Sequence, residues 1–420
     1  MNLLVALPLA LFSLAATHHA APAKAAVPAK AAPAKAAPAK EAAPAKEAAP
    51  AKEAAPAKEA APGTAEYYAG LPESYYCIEY TTGAVLAESN ADIQRPPASM
   101  IKMMLMLMVD EGVQAGKWNY DKPIVVSKSA EGMGGTQVYL KTGETWKLSD
   151  LMPAISVASA NDAAMALAEG LWGSKDAYIE AVNKRAQELG MTQSKFNSVH
   201  GLPPSKGQEF DLTTAKDMAR LGQECVKHPK VLEWTSTKEL IFREGEAKKI
   251  NTNKLLGVVP GVDGLKTGYI RAAGFCVTVT AQRNGVRLIV VVMGDSKHER
   301  SERAQELIDA SFKKMKHVQP VVAGAAVGKP VTVANGVAPN VGIIAKGSLE
   351  AVVREEDEKS LQVEVSAPTE IKAPVAAGAV VGKITLKLGD TKFGETELVT
   401  AAAVEAKGMW RRMGEWTGLK

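Results

Sequence analysis

The sequence predicts an α+β main domain, with an antiparallel sheet and a helical part, followed by a small all-β domain. Long apolar or alanine-rich runs between residues 99 and 108 and between 150 and 190 indicate helices. Between residues 262 and 293, runs rich in β-branched residues are separated by polar turns, which is typical of adjacent antiparallel strands. Beyond about residue 316, apolar and polar residues alternate with a period of two, as in β-strands.

Composition limits the possible functions. The 420 residues are enough for two or three domains. The formal net charge of +4 arises mostly from the segment 21–62, which holds seven lysines and four glutamates. The rest of the chain is close to neutral and offers no basic surface for nucleic acid. Cys77, Cys225 and Cys276 are too few for a disulfide framework and have no zinc-site spacing, so we expect buried thiols and predict no metal or other cofactor.

The first 65 residues are expected to precede the folded body. Residues 1–20 hold an apolar run followed by small residues, which is typical of a secretory signal peptide and predicts export to the periplasm or another extracytoplasmic space. Residues 21–65 repeat alanine, proline and lysine, and proline every five or six residues interrupts any helix. We therefore predict a disordered, extended linker there. The main domain is expected to span residues 66–316.

Within that domain the first elements are a hairpin and a buried helix. Residues 75–80 and 84–86 predict two strands joined by a Thr-Thr-Gly turn. Pro96 and Pro97 end an extended segment, and an apolar run of methionine and leucine then indicates a buried helix that starts near Ser99. Later elements are predicted in chain order as short strands and turns at 124–126 and 132–135, a hairpin-like stretch at 140–148, helices from 150 to about 190, and strands at 262–269, 272–280 and 286–293.

Ser99 and Lys102 form a Ser-x-x-Lys tetrapeptide at the start of the buried helix. Their spacing places them on one helix face, with Ser99 at the positive end of the helix dipole. A neutral amine can remove the proton of a serine hydroxyl, and burial favours the neutral form of a lysine. The tetrapeptide alone is also typical of an ordinary helix cap.

Two further short motifs follow in the chain. Ser159-Ala160-Asn161 interrupts two apolar helical runs and could present a hydroxyl and an amide, although a helix cap explains it equally well. Lys266-Thr267-Gly268 lies on a predicted strand whose glycine leaves room for a substrate backbone. A second Lys-Thr-Gly, at 141–143, comes before Ser159 and sits in a polar turn, so only the order of the motifs makes the triplet informative.

The ordered set of Ser-x-x-Lys, Ser-x-Asn and Lys-Thr-Gly resembles that of penicillin-binding proteins and serine β-lactamases. The chain is most similar to the low-molecular-mass D-alanyl-D-alanine carboxypeptidases, with agreement from about residue 75 to 312. Supporting stretches are Pro97 to Lys102, Ser159 to Ala163, Asn197 to Leu202, Asp263 to Tyr269 and Ala273 to Phe275. The resemblance implies a β-lactamase/transpeptidase-like fold for the main domain.

The resemblance also implies roles for the motif residues. Ser99 would attack the carbonyl between two terminal D-alanines and form an acyl-enzyme, with Lys102 as the base. Ser159 and Lys266 would pass a proton to the departing D-alanine. Asn161 would orient Lys102 and the substrate amide. His200, the histidine of the matching stretch Asn197 to Leu202, is expected to pack locally and take no part in a serine–histidine–aspartate triad.

The substrate-binding residues implied by the resemblance are Lys266, Thr267, Gly268, Tyr269 and Arg300. The backbone N–H groups of Ser99 and Tyr269 would form an oxyanion hole. Thr267 and Lys266 would bind the terminal carboxylate of the substrate. Arg300 aligns with an arginine that assists carboxylate recognition in some relatives, and a surface arginine that opens a helix is the alternative interpretation.

The C-terminal part is predicted to hold no catalytic residues. Residues 317–403 are expected to form a β-sandwich, and Val321–Thr332 echoes Val375–Thr385, which indicates two related hairpin units. The segment 404–420 places an apolar set on about half of a helical wheel, with Arg411 and Arg412 at or near the other side. The apolar set is Met409, Trp410, Met413, Trp416 and Leu419. We expect this segment to attach peripherally to the outer face of the cytoplasmic membrane, with a frayed or docked terminus as the alternative.

The resulting hypothesis is a D,D-carboxypeptidase that trims pentapeptide stems of peptidoglycan and is inhibited covalently by β-lactam antibiotics. A β-lactamase is disfavoured because Glu180 to Asn183 lacks the Glu-x-x-Leu-Asn form used by class A enzymes and lies in a predicted helix. A D,D-endopeptidase that cuts cross-links is a closer alternative. A catalytically silent cell-wall binding or scaffold protein is the alternative from a different class, disfavoured because every motif residue is present.

Overall fold

A computed structural model describes residues 60–408. The helices within this range are α1 (Ala65–Ala69), α2 (Lys102–Gln114), α3 (Lys128–Glu131), α4 (Leu148–Val157), α5 (Asn161–Trp172), α6 (Lys175–Glu188), α7 (Ala215–Val226), α8 (Pro229–Ser236) and α9 (Glu299–Phe312). The strands are β1 (Ser74–Glu79), β2 (Val85–Ser89), β3 (Pro123–Val125), β4 (Thr145–Lys147), β5 (Glu239–Leu240), β6 (Lys249–Ile250), β7 (Val262–Ile270), β8 (Gly274–Arg283), β9 (Val286–Asp295), β10 (Met315–Val321), β11 (Val331–Ala334), β12 (Asn340–Val341), β13 (Ile343–Ala345), β14 (Leu349–Arg354), β15 (Gln362–Ser366), β16 (Glu370–Lys372), β17 (Val380–Leu388) and β18 (Thr391–Thr400). Two 3₁₀ segments occur, at Ala98–Ile101 and Glu355–Ser360.

The main domain is built on a five-stranded sheet in the order β2-β1-β9-β8-β7, with every neighbouring pair antiparallel. Strands β7, β8 and β9 follow one another as antiparallel hairpins. Strand β1 pairs with β9, and Cys77 lies opposite Val290. Strand β7, which carries Lys266, is one of the two edge strands of this sheet. The predicted adjacent antiparallel strands are therefore confirmed, and the edge position leaves one side of β7 open toward the helices.

Helix α2 is the buried centre of the helical part. From Met103 to Leu107 every side chain is fully buried, and the helix packs in one core with residues of α4, α5, α6 and α7. A helix that is apolar all round must be surrounded by other elements, since no face can be exposed to water. The prediction of a buried central helix is confirmed, and its methionines fill the core.

Two local predictions differ from the structure. The chain enters α2 through a 3₁₀ turn over Ala98–Ile101, so Ser99 precedes the α-helix, which starts at Lys102. The hairpin-like stretch at 140–148 was wrong in its pairing, because only β4 within it is a strand and β4 pairs with the distant β3. Local propensity cannot distinguish a strand that pairs with its neighbour from one that pairs 20 residues away.

The C-terminal domain is all β, and corresponding glycines of its sequence repeat make similar backbone contacts. It contains a four-stranded sheet in the order β13-β18-β17-β15, a three-stranded sheet and the pair β10-β14. The N–H of Gly324 donates to the carbonyl of Ala345 in β13, as the N–H of Gly378 donates to that of Thr400 in β18. Strands β13 and β18 pair antiparallel with each other. Each repeat segment therefore binds one strand of the same antiparallel pair through a glycine N–H, and the interpretation as two related hairpin units stays a prediction.

The predicted signal peptide, most of the predicted linker and the amphipathic segment from residue 409 onward lie outside the described residues. Between residues 60 and 408, no helix combines the length and the apolar character that a bilayer-spanning helix requires.

Candidate active site

Ser99 is presented by a constrained turn at the start of α2. Ala98 has a left-handed backbone (φ 49°), which is uncommon for a residue with a Cβ and is found mainly where the surroundings enforce it. The 3₁₀ turn that follows leaves Ser99 only partly buried. Lys102 is the first residue of α2, and its Nζ lies 2.9 Å from Ser99 Oγ. The local fold thus holds a hydroxyl and an amine within hydrogen-bond distance.

Lys102 is fully buried, and its neighbours favour the neutral amine. Desolvation, followed by the positive charge of Lys266, holds the pKa of Lys102 well below the ordinary lysine value, with Asp162 acting in the opposite direction. A neutral amine has two N–H donors, and two acceptors are present: Asn161 Oδ1 at 2.6 Å and the His200 carbonyl at 3.2 Å. The lone pair of Nζ is then left for the Ser99 hydroxyl, which is the arrangement that a general base requires.

Ser159 lies in the turn between α4 and α5, and Asn161 is the first residue of α5. Ser159 is 5% exposed and has a left-handed backbone (φ 58°). The turn is tied to a neighbouring loop: Asn161 N donates to Thr136 O, Asn161 Nδ2 donates to Gly134 O at 2.7 Å, and Thr136 Oγ1 donates to Ser159 O at 2.8 Å. This loop therefore sets the direction in which the Asn161 amide points toward Lys102.

Asp162 extends this support and was not assigned a role from the sequence. Its buried carboxylate accepts the N–H groups of Val138 and Leu140, at 3.0 to 3.2 Å. Residues 134–140 thus form a wall that is held by groups of Ser159, Asn161 and Asp162. The only sequence signal was the aspartate directly after Asn161, a residue type that also serves as an ordinary first-turn helix residue.

Strand β7 brings Lys266 and Thr267 to the other side of Ser99. Lys266 is 1% and Thr267 is 6% exposed. A Cβ on Gly268 would lie 2.6 Å from Pro97 O and 3.2 Å from Ser99 N, so only glycine allows the strand to approach Ser99 this closely. Thr267 Oγ1 is 2.6 Å from Thr252 Oγ1, a contact that the sequence did not predict.

Lys266 is a second lysine with an altered pKa. Desolvation, and then the charge of Arg300, lower the pKa of Lys266 to about 7. Arg300 is buried, donates to Cys276 O at 3.2 Å and lies over the Phe275 ring, so the alternative of a surface arginine is wrong. Tyr269, 54% exposed, stacks on Phe275, with the two ring centroids 4.1 Å apart.

The structure brings together most, though not all, of the predicted contacts. Ser99, Lys102 and Asn161 form one hydrogen-bonded group, and Lys266 acts on Lys102 through its charge. In the part of the chain that the structure describes, Ser159 Oγ forms no hydrogen bond with Lys266, whose Nζ donates to the Thr267 carbonyl at 3.0 Å. The predicted proton path through Ser159 therefore stays a prediction.

His200 packs locally, as predicted. Its Nδ1 accepts the N–H of Leu202 at 3.1 Å, and burial together with the charge of Lys102 lowers its pKa to about 4. What the sequence did not indicate is that its backbone carbonyl faces Lys102 Nζ. The second Lys-Thr-Gly lies in an exposed turn in which Lys141 pairs with Glu131, which agrees with a chance occurrence.

One group of potential metal ligands exists among residues 60–408, away from this cleft. Glu111, Glu224 and His228 place ligand atoms within 4.8 Å of one another. Both carboxylates are already paired with Arg185, at 2.6 and 3.5 Å, and His228 Nδ1 lies 2.6 Å from Asp110. These contacts explain the cluster as a charge network between helices.

The site combines a partly buried serine, a lysine beside it whose surroundings favour the neutral amine, and a second lysine on a sheet edge. These groups define a serine acyl-transfer site that uses lysine where many hydrolases use histidine. Residues 62–297 match the family of D-alanyl-D-alanine carboxypeptidases, and residues 316–406 match the C-terminal domain of penicillin-binding protein 5. The D-alanyl-D-alanine carboxypeptidase DacF of Bacillus subtilis (strain 168) is 31% identical over 357 residues, which is 83% of this chain and 90% of that protein.

Solved structures agree with this assignment. The crystal structure of a peptidoglycan synthesis regulatory factor (PBP3) from Streptococcus pneumoniae matches with a TM-score of 0.64 and 26% identity over 79% of this chain and 98% of that one. Penicillin-binding protein D2 from Listeria monocytogenes, solved in an ampicillin-bound form, matches with a TM-score of 0.51 and 32% identity over 57% of this chain and 96% of that one.

The chain belongs to the D-alanyl-D-alanine carboxypeptidase family. The family resemblance seen in the sequence is thereby confirmed, as are the predicted fold class, with its C-terminal all-β domain, and the assignment to the serine carboxypeptidases.

Proposed function

We propose that Ser99 is the nucleophile with which this enzyme removes the terminal D-alanine from pentapeptide stems of peptidoglycan. The observation that carries the proposal is the 2.9 Å separation of Ser99 Oγ and Lys102 Nζ inside a site that keeps the amine neutral. No histidine approaches Ser99 through its ring in the described residues, and His200 contributes its carbonyl instead. The geometry therefore favours Lys102 as the base.

In the acylation step, Lys102 takes the proton of Ser99 while Oγ forms a bond to the carbonyl carbon of the penultimate D-alanine. The C–N bond to the terminal D-alanine then breaks, and its nitrogen receives a proton through Ser159 and Lys266. Water subsequently cleaves the ester and releases the shortened stem. The backbone N–H groups of Ser99 and Tyr269 stabilise the oxyanion, since β7 lies beside Ser99: a Cβ on Gly268 would be 3.2 Å from Ser99 N.

The terminal carboxylate of the substrate is assigned to the β7 side of the cleft. Thr267 offers a hydroxyl there and Lys266 an amine whose pKa of about 7 lets it carry positive charge beside an anion. Arg300 adds a buried positive charge nearby, and its Nε has no hydrogen-bond partner among residues 60–408. A penicillin carries a carboxylate beside a strained amide, so the same groups support covalent inhibition by β-lactams, and the relative from Listeria monocytogenes is solved with ampicillin bound.

A β-lactamase activity has less support. Glu180 lies on the exposed face of α6, so it does not supply a carboxylate beside Ser99 to activate a deacylating water. Slow hydrolysis of the penicilloyl ester is the expected consequence, which makes penicillin an inhibitor.

The cellular setting follows from the substrate. Peptidoglycan lies outside the cytoplasmic membrane, so we propose that residues 1–20 direct export and that the chain works in the periplasm or an equivalent space. Peripheral attachment through residues 404–420 is part of the same proposal. Mixing the full-length mature chain with vesicles of anionic lipid, with and without residues 404–420, tests this attachment by sedimentation.

The activity is tested with three substrates on one preparation: a muramyl pentapeptide, a cross-linked muropeptide dimer and a fluorescent penicillin. We expect D-alanine release and a labelled protein band, and both should disappear in Ser99→Ala. Rapid penicillin turnover without D-alanine release would establish a β-lactamase instead. Cleavage of the dimer in preference to the pentapeptide would establish an endopeptidase, and the absence of any label would leave a binding protein.

A further inference from the structure

A hairpin at one end of the cleft has no role in the chemistry described above. Strands β5 and β6 are joined by residues 241–248, and β6 leads directly into Thr252. Because Thr252 Oγ1 is 2.6 Å from Thr267 Oγ1, the base of this hairpin lies beside the group that is proposed to bind the substrate's terminal carboxylate. We call residues 239–250 the end hairpin.

The far part of the end hairpin is attached to the opposite wall of the cleft. Arg243 donates to both carboxylate oxygens of Glu144, at 3.1 and 2.9 Å, and to the Tyr139 carbonyl at 3.1 Å. Its guanidinium lies 4.8 Å from the Trp146 ring centroid, and Phe242 stacks on the same ring at 4.6 Å. A bidentate, stacked arginine is a geometrically specific contact, more so than a lysine in the same place.

Tyr139 forms the other half of this attachment. The N–H groups of its two neighbours are bound by Asp162, and its own backbone is left-handed (φ 56°), which is unusual for an aromatic residue. Its side chain is 61% exposed, and the Lys249 ammonium lies 5.6 Å from the ring centroid. The fold thus holds Tyr139 with a left-handed backbone and an exposed aromatic ring. This combination is found at functional positions.

The chain spacing places these contacts close to the reacting groups. Tyr139 follows Thr136, whose carbonyl accepts the Asn161 N–H, by three residues. Lys249 precedes Thr252 by three residues. At roughly 3.3 Å per residue, Tyr139 is within about 10 Å of the wall that carries Asn161, and Lys249 is within about 10 Å of the wall that carries Thr267. The end hairpin therefore bridges the wall that carries Asn161 and the wall that carries Thr267.

We propose that the end hairpin, held by Arg243 and Lys249 against the Tyr139 segment, closes the leaving-group end of the cleft and so selects a free terminal D-alanine over a cross-linked peptide. The inference rests on the proposed function, because it assumes that the terminal carboxylate binds at Thr267. A single D-alanine ends at its carboxylate and methyl group. In a cross-link, the residue after the scissile bond continues into a second stem, which would have to pass through the bridge.

The test compares rates on two substrates in the full-length enzyme. Arg243→Ala removes the bidentate contact, and Lys249→Ala removes the cation over Tyr139 while leaving Arg243 in place. For each, the ratio of kcat/KM on a cross-linked dimer to kcat/KM on the pentapeptide is measured. We expect the ratio to rise about tenfold or more in both variants, the scale on which one pocket contact discriminates. Fluorescent penicillin, which carries no second stem, should acylate each variant within about twofold of wild type.

Arg283→Ala is the matched control. Arg283 also pairs with a carboxylate, of Asp309 at 2.8 Å, donates to the Pro260 carbonyl and lies over an aromatic ring, but its carboxylate and ring partners belong to α9. Its ratio should equal that of wild type.

An unchanged ratio in Lys249→Ala and in folded Arg243→Ala would overturn the inference while leaving the carboxypeptidase intact. Should Arg243→Ala fail to fold, Lys249→Ala decides alone. If the wild type releases no D-alanine, the proposed function fails first and the inference falls with it.

Discussion

Gly201 offers the sharpest test of how Ser99 is positioned. Its backbone is left-handed (φ 78°), and a Cβ built on it would lie 2.0 Å from Ala98 O and 2.3 Å from Ala98 C. Contacts this short require movement, and both atoms belong to the backbone directly before Ser99. We therefore expect Gly201→Ala to push the Ala98 carbonyl, and with it Ser99, away by about 1 Å.

The expected cost follows from two separate effects. A left-handed residue with a Cβ is disfavoured by about 1–2 kcal/mol relative to glycine, which lowers stability. A displacement of about 1 Å at a reacting group costs on the order of a hundredfold in rate. Gly201→Ala should therefore acylate about a hundredfold more slowly with fluorescent penicillin, measured as a second-order rate constant on protein that is folded by circular dichroism.

Gly207→Ala separates the two effects. Gly207 is in the same loop, with φ 84°, but a Cβ on it would meet nothing within 4 Å. This variant should lose stability by about 1 kcal/mol, a shift of roughly 2–4 °C in Tm, and acylate like wild type. Acylation of Gly201→Ala at the wild-type rate, or an equal loss in Gly207→Ala, would refute the steric explanation.

Three further predictions concern the two lysines. Asn161→Ala removes the acceptor 2.6 Å from Lys102 Nζ and should slow acylation roughly a hundredfold, and an unchanged rate in stopped-flow labelling would exclude the orienting role. For Lys266, the lowered pKa means that the unfolded chain binds a proton that the folded chain lacks between pH 7 and 10.5. The free energy of unfolding of the wild type, relative to that of Lys266→Met, should therefore rise with pH across that window. Urea unfolding at pH ~7 and ~9.5 should show a rise of up to a few kcal/mol, and a constant difference would contradict the burial of a neutral amine. Arg300→Met removes a charge that lowers the pKa of Lys266, so the midpoint of its ¹³Cε titration should move above about 7, and an unmoved midpoint would show that Arg300 does not act on this lysine.

The elements that the sequence predicted well are those that depend on local pattern. The continuous apolar run after Ser99 has only one stable environment, the centre of a helical layer, and α2 occupies it. The strands β8 and β9 are long, β-branched and joined by a short polar turn, so their pairing could be foreseen. The pairing of β4 with β3 could not, since a three-residue strand carries no signal for its partner.

By itself, the sequence determined which chemical groups are present and in what order, because a Ser-x-x-Lys on a buried helix, a Ser-x-Asn and a Lys-Thr-Gly on a strand are local patterns. Only the tertiary structure decided what surrounds Lys102: an amide from 59 residues away and a carbonyl from 98 residues away take its two N–H groups. The same holds for Asp162 beneath residues 138–140 and for Thr252 beside Thr267. These contacts arise from packing between distant segments, and the local preference of residues for helix or strand does not predict them. The surroundings that favour a neutral amine beside Ser99 are thus a property of the packed molecule.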